Sequence, residues 1–154
     1  MVRSTLDDLA RDAVQRQLQP TLVDLIDLML TGKQLHWNVT GPLFKPLHEQ
    51  LDEFVDVWRL WSDDVAERLT AVGVSPDGRV QHVADQTTAD AVPDGWIDDS
   101  KVVSLLAERL DAFAQRLRQR VQEVEDADLA TQDLLIEILQ GVEEQLWMIS
   151  AQER

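Results

Sequence analysis

The sequence predicts an all-α fold, a four-helix bundle with a long crossover between its second and third helices. Four stretches repeat apolar residues at steps of three and four, which is the spacing of one helix face, and no stretch alternates as a half-buried strand would. Residues 74–97 interrupt this pattern with Pro76, Gly78, Pro93 and Gly95, over a length that suits a crossover. We expect residues 1–154 to form a single domain.

Two long helices account for the first half of the chain. The first spans about residues 4–37, and Pro20 should kink it because proline removes one backbone hydrogen bond from a helix. The second spans about residues 44–72, and Gly73 is placed to end it. Between them, residues 40–42 are Thr-Gly-Pro and predict a tight turn, so the two helices should form an antiparallel hairpin.

The second half of the chain contains the crossover and two more helices. The crossover is long enough to contain a short helix, which we expect near residues 87–91. The third helix should begin after a polar cap within residues 98–100, and it carries a narrow apolar stripe from Val103 to Val124. The fourth spans about residues 128–151, and its acidic start complements the positive end of the helix dipole.

The composition argues against several classes of function. The 154 residues include 29 acidic and 14 basic side chains, a net charge of −15 that attracts cations and repels phosphate backbones. Neither terminus supplies a basic arm, so we expect weak or no binding to DNA. The absence of cysteine rules out thiol nucleophiles and cysteine-bound zinc. No apolar run approaches the ~20 residues of a membrane span and the N-terminus lacks a signal-peptide core, so we expect a soluble, cytoplasmic protein.

Two pairs of potential metal ligands lie on the second helix. His48 and Asp52 are four residues apart, and so are Asp63 and Glu67. Residues four apart share a helix face, and the eleven-residue step from Asp52 to Asp63 is close to three turns, so both pairs face the same way. Their centres nevertheless lie roughly 22 Å apart along the helix, whereas a ligand must approach a metal to about 2 Å. One chain therefore supplies two half-sites.

A second copy of the chain would complete both half-sites. If the helix pairs antiparallel with its copy about a twofold axis near Val57 and Trp58, each half-site faces the complementary half-site of the partner subunit. The hairpin turn also brings His36 beside His48. Imidazoles and carboxylates without a thiolate suit iron, manganese or zinc, and iron is the leading candidate.

Each of these features has a simpler explanation when it is taken alone. A histidine near a helix end is usually a surface or capping residue, and an acidic pair is usually part of a solvated face. The inference of a metal site therefore rests on these histidines and carboxylates taken together, since two of the three histidines in the sequence belong to this group. The third, His82, falls in a polar loop, and we expect it on the surface.

The order and spacing of these residues resemble a known family. The run His-Trp-Asn-Val-Thr-Gly-Pro at residues 36–42 is followed by Phe44, Leu47-His48, Leu51-Asp52, Phe54, Asp63 and Ala66-Glu67-Arg68. This run resembles the signature of the Dps proteins, the mini-ferritins of starved bacteria, and the helix pattern extends the similarity over nearly the whole chain. The long crossover also matches a ferritin-like four-helix bundle. The Glu-x-x-His pairs that hold iron inside other ferritin bundles are missing from the sequence.

The resemblance implies an iron-storing ferroxidase that protects the cell from oxidative damage. Dps proteins form hollow dodecamers from twofold dimers, oxidise Fe(II), preferentially with hydrogen peroxide and otherwise with O₂, and deposit ferric oxide inside. The resemblance implies that a site for two irons would use His36, His48 and Asp52 of one subunit and Asp63 and Glu67 of its mate. Asp126, Asp128 and Asp133, near the start of the last helix, would line a pore for iron entry, although acids at a helix start also simply complement the dipole.

Two other interpretations remain open. A protein that condenses nucleoid DNA, with secondary metal binding, is disfavoured by the lack of basic termini, and a purely helical scaffold would bury several unpaired charges at an interface. Trp58 and Trp61 lie on the second helix, and we expect interface packing for them, with Trp61 near Phe54 of the partner subunit. Trp37 directly follows a candidate ligand, and radical quenching is the weaker hypothesis for it.

Overall fold

The computed structural model describes residues 3–153, which form a predominantly helical chain. Within that range the helices are α1 (Asp8–Asn38), α2 (Phe44–Ala71), α3 (Val80–Gln86), α4 (Asp99–Glu123) and α5 (Leu129–Ser150). The all-α bundle with a long crossover between its second and third long helices is therefore confirmed. None of these described helices is both long enough and apolar enough to cross a membrane. Residues 1, 2 and 154, which the predicted domain includes, lie outside the described residues.

Sequence signals set the ends of the first two helices. Asp7 caps α1 with a side-chain oxygen that accepts a backbone hydrogen bond from the first turn at 2.8 Å. The helix α1 then continues through Pro20 as one element. Gly73 ends α2 in a left-handed conformation with a φ of 87°. The N–H of Val74 reaches back to the carbonyl of Leu69 at 2.9 Å, which is the Schellman arrangement typical of a glycine after a helix.

The short helix of the crossover lies earlier than predicted. We expected it near residues 87–91, but α3 spans Val80–Gln86, and Val83 buries its side chain in the bundle. At Thr87 the backbone is extended, and the Thr87 hydroxyl accepts a hydrogen bond from the N–H of Ala89 at 3.3 Å. This local side-chain bond competes with helix formation, so the chain turns where we expected a helix.

A two-residue parallel ladder ties the hairpin turn to the start of α4. Strand β1 (Val39–Thr40) pairs with β2 (Ile97–Asp98), and the Thr40 hydroxyl donates to the carbonyl of Ile97 at 3.2 Å. Val39 and Ile97 are buried, so the ladder belongs to the core. The sequence gives no signal for this ladder, because strands of two residues are too short for an alternating pattern to show.

The core lies between two helix pairs, with α1 packed along α2 and α4 packed along α5. Trp58 is the largest fully buried side chain, and its indole N–H donates to the side-chain oxygen of Gln145 on α5 at 2.8 Å. Gly32 on α1 faces the same indole, where an added Cβ would lie 2.7 Å from the ring. The close approach of α1 to α2 at this point therefore requires glycine.

A buried group of ion pairs joins α1 to α4. The Asp24 carboxylate is 6% exposed and accepts hydrogen bonds from Arg116 at 3.0 Å and from Arg120 at 2.7 Å. One turn further, Asp27 pairs with Arg109 at 2.8 Å. Burial raises the pKa of the Asp27 carboxyl, although the nearby Arg109 opposes this shift. Removing one partner of such a pair would leave a buried charge uncompensated, so the pairs fix how α4 sits against α1.

Candidate metal centre

Two histidine side chains meet beside the turn that joins α1 and α2. His36 lies in the last turn of α1 and His48 lies near the start of α2. Their ring centroids are 3.7 Å apart, and the ring planes differ by 17°. His36 is 7% exposed and His48 is half-buried, while the ring of Phe44 lies 5.2 Å from that of His48. The structure therefore brings together the two histidines as the hairpin turn predicts.

Each imidazole is held by a hydrogen bond to the backbone of the other histidine. Nδ1 of His36 lies 2.7 Å from the carbonyl oxygen of His48, and Nδ1 of His48 lies 2.9 Å from the carbonyl oxygen of His36. A carbonyl oxygen can only accept, so Nδ1 of each neutral ring carries the proton and donates it. Nε2 of each ring then keeps its lone pair, which is the form in which imidazole binds a metal.

The Asp52 carboxylate lies one turn beyond His48 and already has a cationic partner in the single chain. Nζ of Lys33 lies 2.5 Å from Oδ1 of Asp52. The hydrogen bond from the Lys33 ammonium group lowers the pKa of the Asp52 carboxyl. A metal ion that binds Asp52 must therefore compete with this ammonium group. Sequence analysis missed Lys33, although a basic residue one turn before His36 was a usable signal.

The second pair of candidate ligands lies at the other end of α2. Asp63 and Glu67 are both exposed. In a single chain, over residues 3–153, no three histidine, aspartate or glutamate side chains gather closely enough to hold a metal ion. The helix rise of 1.5 Å per residue keeps this acidic pair roughly 22 Å from the pair at the histidine end. The structure therefore does not unite the five predicted ligands within one chain, and their union in a dimer stays a prediction.

The tryptophans of α2 pack inside their own chain. Phe54 is 5% exposed and its ring lies 5.9 Å from that of Trp58, so both belong to the inward face of the helix. Trp61 packs over Gly141 of α5, where an added Cβ would lie 2.5 Å from the ring. The expected contact of Trp61 with Phe54 of the partner subunit was therefore wrong. Phe54 and Trp58 follow Leu51 at the three- and four-residue spacing of one helix face, so they continue its buried face.

The exposed face of α2 between the two half-sites combines charged side chains with an apolar one. Asp56, Arg59 and Leu60 are exposed there, and Leu60 leaves 53% of its surface in contact with solvent. Val57, near the expected twofold axis, is half-buried. An exposed leucine between two candidate half-sites is typical of the apolar part of an interface.

The three acids near the start of α5 have different environments. Asp128 is the N-cap of α5, accepts a hydrogen bond from the N–H of Thr131 at 3.0 Å and pairs with Arg68 of α2. Burial disfavours its charged form, but the hydrogen bonds from Thr131 and Arg68 outweigh burial and lower the pKa of the carboxyl. Asp126 and Asp133 are exposed. The capping role explains the position of Asp128, and a role of all three acids in iron entry stays a prediction.

Two further aromatic side chains, His82 and Trp37, do not belong to the stacked histidine pair. His82 is half-buried rather than on the open surface, with Nδ1 3.6 Å from the Asp77 carboxylate. Trp37 is exposed, and the ammonium group of Lys33 lies 5.9 Å from its ring centroid. Trp37 therefore flanks the Lys33–Asp52 pair, and radical quenching by its indole stays a hypothesis.

Comparisons with known proteins identify the class. A family model described as a ferritin-like domain matches residues 15–153. The DNA protection during starvation protein of Mycolicibacterium smegmatis is 35% identical over 150 residues, which cover 95% of this chain and 80% of that protein. DNA protection during starvation protein 2 of Deinococcus radiodurans is 38% identical over 134 residues, but this chain spans only 56% of its length.

Solved structures give the same result at the level of the fold. A Dps structure from Mycobacterium smegmatis superposes with a TM-score of 0.93 at 32% identity and covers 98% of this chain and 92% of the other. Dps from Microbacterium arborescens in the high iron form superposes with a TM-score of 0.92 at 33% identity, with 97% of each chain covered. The chain is thus a ferritin-like protein. Within that class it belongs to the Dps family, which supports iron storage and protection against oxidative damage as its general role.

The reciprocal histidine contacts predict the tautomer of both rings before any metal is added. In histidine-labelled protein, ¹⁵N magic-angle-spinning NMR at a pH where the rings are neutral should show protonated Nδ1 and unprotonated Nε2 for His36 and His48. His36→Ala and His48→Ala variants assign the signals, and His82 serves as an internal reference. A proton on Nε2 of either ring would contradict the assignment of that nitrogen as a ligand.

Proposed function

We propose that this chain oxidises Fe(II) at sites shared between two subunits and stores the ferric product inside a hollow homododecamer built from twofold dimers. Hydrogen peroxide is the preferred oxidant, and O₂ is the alternative. The observation that carries the proposal is the stacked pair of His36 and His48, which presents two free Nε2 atoms one turn from the Asp52 carboxylate. The ligand types, two imidazoles with carboxylates and no thiolate, fit iron. The cytoplasmic location stays a prediction.

In this proposal two Fe(II) ions bind at each of two equivalent seams. His36, His48 and Asp52 hold iron from one subunit, and Asp63 and Glu67 of the partner subunit complete the site. Glu67 is the best placed of the acids to bridge two ions, because a carboxylate has two oxygens and this one is exposed at the end of a flexible side chain. Few protein ligands leave open positions for the oxidant, as a catalytic metal site requires.

The reaction balances without an additional reductant. One hydrogen peroxide accepts one electron from each of two Fe(II) ions, its O–O bond breaks, and with two protons it yields two waters. The two Fe(III) ions then hydrolyse to ferric oxyhydroxide and release protons. Because both electrons are taken in one step, no hydroxyl radical is released. In the proposal, iron competes with the ammonium group of Lys33 for the negative charge of the Asp52 carboxylate when it binds.

The charge on α2 favours this function over a scaffold without metal. An antiparallel pairing would bring Asp52 of each chain toward Asp63 and Glu67 of the other, and their negative charges would repel. Burying unpaired carboxylates costs several kcal/mol per ion by general estimates, unless a cation neutralises them. Iron supplies that cation in the proposal. Asp126 and Asp133, both exposed near the start of α5, would attract Fe(II) toward an entry pore.

Mixed subunits test the shared site. The variant His36→Ala/His48→Ala lacks one half-site, and Asp63→Ala/Glu67→Ala lacks the other, so each alone should lose Fe(II)-dependent peroxide consumption. In an equal co-expressed mixture with random pairing, half of the dimers are mixed and each contains one intact site out of two. Activity should therefore return to about one quarter of the unmutated level. The measurement is peroxide consumed per Fe(II) oxidised, with assembly checked by native mass spectrometry.

The control variant removes two acids of α2 that are sequence neighbours of candidate ligands but are not themselves candidate ligands. Glu53→Ala/Asp64→Ala removes the same charge from α2, and both side chains are exposed and about 100° around the helix from Asp52 and Asp63. This control should keep full activity. An inactive mixture of correctly assembled subunits would show that the two half-sites do not cooperate across an interface, and a fully active parent variant would remove its half-site from the proposal.

The second candidate, a DNA-condensing protein, is suggested by the family resemblance and by the names of the relatives. The net charge of −15 opposes contact with phosphate, so we propose weak or no DNA binding at physiological salt. An electrophoretic mobility assay of the assembled protein with linear duplex DNA should show no retarded band at about 150 mM salt, where the Debye length is ~8 Å. A retarded band that persists there would overturn this part of the proposal.

A further inference from the structure

The first residue of α4, Asp99, is a buried carboxylate with a tertiary partner. It is 7% exposed, and its Oδ2 accepts a hydrogen bond from the backbone N–H of Leu43 at 2.6 Å. Leu43 is the N-cap residue of α2 and provides no side-chain cap of its own. The carboxylate therefore satisfies the N–H of the N-cap residue from another helix, as the acid of a capping box does, and its negative charge lies at the positive end of the α2 dipole.

The same carboxylate packs against the glycine of the hairpin turn. Gly41 has a φ of 117°, which L-residues with side chains rarely adopt. A Cβ built on Gly41 would lie 2.8 Å from both Cγ and Oδ2 of Asp99, so no side chain fits between them. The close contact and the hydrogen bond to Leu43 hold both sides of the turn against the start of α4.

The held turn is the only covalent link between the two histidines. His36 lies five residues before Gly41, and His48 lies five residues after Leu43. Between them, β1 pairs with β2, which immediately precedes Asp99. Each imidazole donates to the carbonyl of the other histidine, so ring positions depend on the relative placement of the two backbones. A shift of the turn would therefore separate the rings from their acceptors.

We infer that Asp99 is a positioning residue for the iron site. Its carboxylate holds the α1–α2 turn in the conformation that stacks His36 on His48 with both Nε2 atoms free, and it thereby sets the affinity of the histidine half-site for a divalent metal. This inference rests on the proposed function. It assigns a role at that site to a residue of α4 that touches no iron ligand side chain and that the sequence motif does not include.

Cobalt titration of the assembled protein tests this role without turnover. Co(II) resembles Fe(II) in ligand preference but is not oxidised by O₂ during the titration. Its affinity can therefore be measured by calorimetry and from visible spectra. Asp99→Ala should weaken Co(II) binding by about tenfold, the lower end of the range for outer-shell residues of metal sites. Asp99→Asn keeps an oxygen that can accept from Leu43, so it should retain affinity within about threefold of the unmutated protein.

A structural signature separates positioning from general destabilisation. In Asp99→Ala the ¹⁵N spectra of His36 and His48 should show loss of the Nδ1-protonated tautomer, whereas helix content and assembly mass should not change. The control is Asp98→Ala, which removes an adjacent exposed aspartate that caps α4 without a side-chain hydrogen bond. The control should leave both Co(II) affinity and the ring spectra unchanged.

The outcomes distinguish this inference from the proposed function. If the unmutated protein binds Co(II) and His36→Ala abolishes binding, the proposed site stands, and unchanged affinity in Asp99→Ala then overturns only the role of Asp99. Equal losses in Asp99→Ala and Asp98→Ala would also overturn it. If Asp99→Ala does not assemble, Gly41→Ala decides, because its Cβ displaces the Asp99 carboxylate from the turn. Unchanged Co(II) affinity in assembled Gly41→Ala contradicts the inference.

Discussion

The length and continuity of α2 constrain where this protein can bind a metal. One helix without a break runs over Phe44–Ala71, so the distance between His48 at its start and Glu67 near its end is fixed by helix geometry. Both ends present candidate ligands on one face, but the continuous helix keeps the two groups too far apart to bind one ion. A metal ion at either end of α2 would therefore be bound by candidate ligands of two subunits or by those of one half-site alone. The exposed Leu60 between the two ends favours the first alternative.

At the histidine end, the orientation of the two imidazole rings depends on the placement of the backbones of α1 and α2. Each imidazole is oriented by the carbonyl of the other histidine. Both helices of the hairpin must therefore be in place before either ring can act as a ligand. The β1–β2 ladder and the Asp99 carboxylate attach the turn of that hairpin to the start of α4. Lys33 pairs with the exposed carboxylate of Asp52 in the single chain. The site is thus prepared by elements that are far apart in sequence.

The sequence alone predicts the parts of this structure that repeat along the chain. Apolar periodicity predicts the long helices, Gly73 predicts the end of α2, and the turn predicts the meeting of His36 and His48, which the structure confirms. The features that sequence analysis missed depend on single long-range contacts. Asp99 is 56 residues from Leu43, and a two-residue ladder has no pattern to detect. Phe54 continues the buried face of Leu51, a position that the expected contact with the partner subunit did not take into account.

Anomalous diffraction at the iron edge, from crystals of the assembly loaded with Fe(II) without oxygen, tests the shared site most directly. Peaks should lie about 2 Å from Nε2 of His36 or His48 and from the carboxylate oxygens of Asp63 or Glu67 of the partner subunit. In the same crystals the Lys33 ammonium should have left Asp52. Iron peaks ligated by one chain alone, or an interface without iron while the mineral still forms, would contradict the account.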